Sequence, residues 1–81
     1  MDRSEVESRV RTAIGRVLHL SAGEITPEAN FIFDLGADSM QSLQLVAAFE
    51  EEFGVELDQE AALAVQTVTG AVDYLKQMLD R

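Results

Sequence analysis

The segment Phe33-Asp34-Leu35-Gly36-Ala37-Asp38-Ser39-Met40 sets a hydroxyl at the start of a helix, directly after a glycine-containing turn. Behind it Leu45, Phe49 and Phe53 recur every four residues with Val46 beside them, the spacing of a helix that buries one stripe. These residues predict a helix over residues 39–53, ended by Gly54 in a left-handed cap. A helix N-terminus offers free amides and a partial positive charge, so it can accommodate a phosphate on Ser39. Asp38 fits that role poorly, because it would repel a phosphate. Asp38 and Ser39 also read simply as ordinary cap residues.

The same helix carries a second apolar stripe, Met40, Leu43 and Ala47, turned well away from Leu45. Either the bundle encloses the helix broadly, or this stripe is a contact surface. A flexible Met at an exposed helix start suits adaptable partner binding. Glu50, Glu51 and Glu52 follow at the far end. They read as a solvated charge run, at least in part. Acids at a helix C-terminus oppose the macrodipole by a few tenths of a kcal/mol each, a hint that they serve something besides the fold.

Upstream, Ser4-Glu5-Val6-Glu7 reads as a capping box. Val6, Val10, Ile14, Val17 and Leu18 then recur at helical spacing and predict a first helix from about Glu5 to His19. Much of the basic charge sits there, in Arg9, Arg11 and Arg16. A long connection, Leu20 to Asp38, follows, with Pro27 suited to the first turn of a short helix capped by Thr26. Phe31, Ile32, Phe33 and Leu35 are too apolar for a free linker and are expected to pin this loop onto the core. Downstream, Val55-Glu56-Leu57 reads as extended, and Asp58 caps a short third helix through Ala64. Thr67 or Thr69 caps the last helix. Val68, Val72, Leu75 and Leu79 line its buried face, with Ala71 and Met78 beside them. No run alternates as a strand does. The fold class is all-α: a small four-helix bundle, one domain over residues 1–81, with a long loop between helices one and two and a short third helix.

Composition bounds the function. With 47% hydrophobic residues but no Trp, one Tyr and four Phe, the core must be mostly aliphatic. The absence of Cys excludes disulfides, thiolate metal sites and a cysteine nucleophile. A net charge of −9 makes nucleic acid and anionic membrane surfaces poor partners, and basic protein patches natural ones. Charge alone is equally explained by solubility. No apolar run is long enough to span a membrane, and no apolar signal region follows Met1, so a cytoplasmic location is expected. The only His, His19, reads as a helix-terminal residue, favourable there when protonated. No base–nucleophile pair is visible, and the loops lack calcium-ligand spacing, so neither an enzyme nor a calcium module is expected.

The stretch Asp34-Leu35-Gly36-Ala37-Asp38-Ser39 resembles the modification motif of acyl carrier proteins. The resemblance continues through residues 50–57 and 67–75 and covers nearly the whole chain. It implies that Ser39 bears 4′-phosphopantetheine, taken from coenzyme A by a phosphopantetheinyl transferase that recognises Asp38. It implies a monomeric carrier whose arm holds acyl groups as thioesters, which explains how a Cys-free chain can do thiol chemistry. Acyl-transfer and condensing enzymes of fatty-acid, polyketide or specialised lipid synthesis would dock through basic patches. The docking surface implied is helix two, with Met40, Leu43, Gln44, Ala47, Glu50 and Glu51. Leu43, Val46, Ala64, Val65 and Val68 are candidates to shelter the acyl chain, or are plain core.

The chain departs from the family pattern where Met40 replaces the usual Leu, and where Gln41 and Gln44 replace acids usual in fatty-acid carriers. Each lost exposed pair weakens docking by about 0–1 kcal/mol. A dedicated carrier of a specialised pathway follows. A peptidyl or D-alanyl carrier and an unmodified acidic helical adaptor are the alternatives. Gln44→Glu is expected to tighten binding to a general fatty-acid ketosynthase, measured as a lower Kd at low salt; equal or weaker binding would remove the charge argument.

Overall fold

The computed structural model describes residues 1–80. Helix α1 spans Arg3–Leu18, α2 Ser39–Phe53, α3 Gln59–Leu63 and α4 Val68–Leu79. A short 3₁₀ turn, Ala22–Glu24, interrupts the long connection. Among the described residues no strand forms; one isolated bridge pairs Asn30 with Thr67.

Helix α1 is the centre of the bundle, packed against both α2 and α4, while α3 rests on α2. Its face Val6, Val10, Ala13 and Ile14 is fully buried. Leu45, Ala48 and Phe49 meet it from α2, and Val68, Ala71, Val72 and Leu75 from α4. Among the described residues no polar or charged one is buried with them, and Phe31 and Phe49 are the buried aromatics, so the core is the aliphatic one that composition requires.

Helix α1 starts earlier than the Ser4 box implies. Asp2 is the cap, its Oδ1 accepting from Glu5 N at 2.9 Å, and Asp2 O accepts from Val6 N at 3.0 Å. Asp caps at least as well as Ser, and capping at Asp2 lengthens the helix by half a turn. The helix stops at Leu18 because His19 turns left-handed, at φ 59°. Gly15 O then accepts from both His19 N and Leu20 N, the second bond at 3.1 Å. The chain doubles back so tightly that a Cβ on Gly15 would lie 2.7 Å from Leu20 O.

In the long connection, the short helix lies at Ala22–Glu24 and not at Pro27. Ser21 begins a better capping box, its N–H donating to Glu24 Oε2 at 2.8 Å. Pro27 O is instead taken by α4: it accepts from Thr69 N at 2.9 Å and Thr69 Oγ1 at 2.7 Å. Val68 N donates to Ala29 O at 3.1 Å and Phe31 N to Gln66 O at 2.9 Å, so backbone bonds lace the loop to the start of α4. Phe31 is buried and Leu35 packs against the core, as their hydrophobicity predicts. Ile32 and Phe33 do not: they stand 57% and 87% exposed.

Helix α2 has the expected bounds, ended by Gly54 at φ 64°. Asp58 caps α3, which ends at Leu63 with Ala64 as its cap residue. Of the two threonines offered for α4, Thr67 caps it, its Oγ1 accepting from Gly70 N at 3.0 Å, because Thr69 is committed to Pro27. On its buried face Leu79 and Met78 are only half-buried, at the open end of the bundle. No helix among the described residues is long and apolar enough to cross a membrane.

A left-handed non-glycine residue costs about 1–2 kcal/mol, of which glycine's greater unfolded-state freedom returns part. His19→Gly is therefore expected to stabilise the fold by about 0.5–1 kcal/mol, raising Tm by about 2–8 °C in a domain of this size. A thermal melt showing an unchanged or lower Tm would contradict this account of the α1 terminus.

Candidate functional site

The loop into α2 gives each residue of its motif a local reason. Asp34 Oδ2 accepts from Asn30 N at 2.7 Å and closes the turn. Gly36 adopts φ 77°, a conformation that disfavours any side chain. Ala37 is buried, and its N–H donates to Phe31 O at 2.8 Å, which anchors the end of the loop. Asp38 caps α2, its Oδ1 accepting from Gln41 N at 2.8 Å, while Gln41 Oε1 accepts from Asp38 N at 3.2 Å. Ser42 Oγ donates to Asp38 O at 3.0 Å. Ser39 is the first residue of the helix and is exposed.

Gln41 is thus the capping partner of Asp38, not merely a missing acid. The Asp-x-x-Gln spacing is a capping-box signal, so this role was readable in the sequence. The amides of Ser39 and Met40 find no partner among the described residues. They are the free donors of the helix N-terminus, next to the Ser39 hydroxyl.

Ser39, Ser42, Val46 and Phe49 are spaced three, four and three residues apart and share one face of α2. Below Ser39 that face lines a cleft of about 130 Å³, closed by Phe31, Leu57 and Val65 among others. Of the sheltering candidates, Val46 and Val65 line it. Leu43 and Ala64 are instead exposed, and Val68 is fully buried in the main core. The cause is helical phase: Leu43 belongs to the other apolar stripe of α2.

That other stripe is not covered by the bundle. Met40, Leu43, Gln44, Ala47 and Glu51 are all exposed along one side of α2. Glu50, three residues on from Ala47, lies toward the same side but is engaged by the fold. It is half-buried, and its Oε2 accepts from Leu57 N at 2.9 Å, while its backbone O accepts from Gly54 N and Val55 N. Its carboxylate fastens the extended link to α3, a role that spacing alone does not reveal because the bond spans seven residues. Residues 17–75 contain no Lys or Arg. The four ion pairs among the described residues, Arg3–Asp73, Arg9–Glu5, Arg11–Glu7 and Lys76–Asp80, all lie on α1 and α4. The segment around Ser39 thus carries Asp34 and Asp38 before the helix and Glu50, Glu51 and Glu52 at its end, with no Lys or Arg between residues 17 and 75.

Residues 8–75 match the family model described as the phosphopantetheine attachment site. The chain belongs to that family. Its members carry a covalently attached 4′-phosphopantetheine and are carriers, not enzymes. The arm supplies a terminal thiol on which carboxylic acids are held as thioesters. The residues present fit such a group. An exposed hydroxyl is available for the phosphodiester, two unbonded amides and the α2 dipole favour its charge, and an apolar cleft opens on the same face.

Glu50→Ala is expected to cost about 1 kcal/mol by leaving the Leu57 amide without its carboxylate, whereas Glu51→Ala should stay within about 0.5 kcal/mol. Urea melts of the two variants check this. Equal midpoints would mean that the Glu50–Leu57 bond contributes nothing to the fold.

Proposed function

We propose that Ser39 bears the 4′-phosphopantetheine and that the protein is an acyl carrier, loaded by a phosphopantetheinyl transferase with coenzyme A as donor. The observation that carries this reading is the position of Ser39, exposed at the head of the α2 face that lines the apolar cleft. Ser39 presents its oxygen to the transferase, and the Ser39 and Met40 amides stabilise the phosphodiester beside them. Asp38 holds the helix start in place through Gln41, and its charge marks the site for a basic transferase. The cleft favours acyl over aminoacyl cargo. Its walls, Phe31, Leu45, Val46, Phe49 and Leu57, reward an aliphatic chain, at about 0.8 kcal/mol per buried methylene, and would desolvate an ammonium group at a loss.

Delivery runs along the exposed side of α2. Met40 and Leu43 offer adaptable apolar contact, Ala47 permits close approach, and Gln44 and Glu51 supply polar contact at the rim. The partners are acyl-transfer and condensing enzymes with basic docking patches, in fatty-acid, polyketide or related lipid synthesis. Gln41 and Gln44 leave the first turns of α2 uncharged, which favours a dedicated pathway over the general fatty-acid enzymes.

Incubation with a phosphopantetheinyl transferase and coenzyme A is expected to add one arm, read by intact mass, and Ser39→Ala should gain none. Asp38→Asn keeps a good cap, so it should melt like the parent yet load more slowly. A Ser39→Ala variant that still gains the arm would remove the site assignment. Unchanged mass of the parent with several transferases would favour an unmodified adaptor.

A further inference from the structure

Among the described residues six large apolar side chains are exposed, and three of them, Ile32, Phe33 and Leu63, border one opening, the mouth of the cleft on the Ser39 face of α2. Single exposed apolar residues need no explanation, but three around one mouth form a patch. Phe33 is the extreme, at 87% exposure. Its position is built into the turn. Asn30 Oδ1 accepts from the amides of Ile32 at 2.9 Å and Phe33 at 3.0 Å. Asn30 O accepts from Asp34 N and Leu35 N, and the Asp34 carboxylate closes back on Asn30 N. Phe33 is therefore held outward on a rigid turn, with little ordering cost left for a contact to meet.

We propose that the Ile32–Phe33–Leu63 rim is the apolar part of the surface on which the phosphopantetheinyl transferase docks, received by an apolar depression edged with Lys and Arg side chains. The proposal rests on Ser39 as the attachment site. The transferase is the partner whose chemistry takes place at Ser39 itself, whereas acyl-handling enzymes work at the far end of the arm. In that step Ser39 Oγ attacks the coenzyme A phosphorus that bears pantetheine. The pyrophosphate P–O bond breaks, its electron pair leaves on the adenosine bisphosphate, and the Ser39 proton passes to a base on the transferase. An enzyme active site brought to that oxygen covers its surroundings, because a standard interface takes about 800 Å² from each partner. Ser42, one turn along from Ser39, lines the same cleft as Phe33, and Ala37, two residues before it, is bonded to Phe31. Aromatic side chains in desolvated pockets dominate such interfaces. The basic edge follows from the charge, since exposed Asp34 and Asp38 stand one and five residues beyond Phe33 and residues 17–75 supply no cation.

The test uses the apo protein, coenzyme A and the transferase of its own host, with initial rates of arm addition followed by intact mass. Phe33→Ser is expected to lower kcat/KM about tenfold, mainly through KM, while its Tm stays at the parent value. Phe33→Leu should retain most of the rate, and Thr12→Ala, on α1, should load like the parent. A Phe33→Ser variant that loads with the parent's kcat/KM overturns the proposal. So does a fall in kcat at constant KM, which a docking contact would not produce. If the parent itself gains no arm, the attachment reading fails first; if it loads and Phe33 has no effect, only the docking surface is lost.

Discussion

The connection between α1 and α2 is the constraint on which the rest depends. It is long, and ordering a residue's backbone costs about 1–2 kcal/mol, so it could not hold one conformation on apolar contacts alone. The backbone supplies the remainder. Pro27, Ala29 and Phe31 are bonded to Thr69, Val68 and Gln66, and Ala37 is bonded to Phe31. The first set fixes the loop against α4 and the last fixes its end beside its own middle. With Ile25, Ala29, Phe31 and Ala37 buried at or beside these ties, Asp38 arrives at one defined place and α2 can begin only there. Ser39 is positioned by this chain of bonds more than by any property of its own.

The sequence made the elements with clear period and clear punctuation legible. Helix α2 begins after Asp38 and ends at Gly54 because its cap and its terminator are both strong and nothing competes with them. Where two signals competed, the stronger chemistry won. Asp2 displaced Ser4 at the start of α1, and the Ser21–Glu24 box formed the short helix of the connection, while Pro27 makes only a turn closed by Ala29 N on Thr26 O. The candidate site divides in the same way. Ser39, its cap Asp38 and the exposed side of α2 follow from helical phase. Phe33 and Glu50 did not, because each depends on a bond that no period encodes. Asn30 turns Phe33 outward, and Leu57 draws the Glu50 carboxylate inward.

Three sides of one short helix therefore hold three tasks. Leu45, Ala48 and Phe49 bind α2 to α1. Ser42 and Val46 join Phe49 in lining the cleft under Ser39. Met40, Leu43, Gln44, Ala47 and Glu51 face outward. Only one apolar stripe is spent on the fold, so a helix with little polar surface is left without enclosure by the bundle.

Charge is separated along the same line. Among the described residues the cations and their ion pairs sit on α1 and α4, which supply half of the buried hydrophobic residues, while the loop, α2 and α3 carry acids without a Lys or Arg. Surface pairs of this kind contribute about 0–1 kcal/mol each, so the arrangement is a weak device for stability. The acid-rich half moreover bears a local cost, since Glu50, Glu51 and Glu52 end α2 against its macrodipole. The Glu50–Leu57 bond and the left-handed Gly54 offset part of that cost at one carboxylate, and nothing in the fold offsets it at Glu51. A field of one sign over the Ser39 half, kept at the expense of stability, does its work at a distance. Under the proposed function it would draw a basic surface toward the hydroxyl before any contact is made, and its strength would fall as salt shortens the range over which charges act, about 10 Å at 0.1 M.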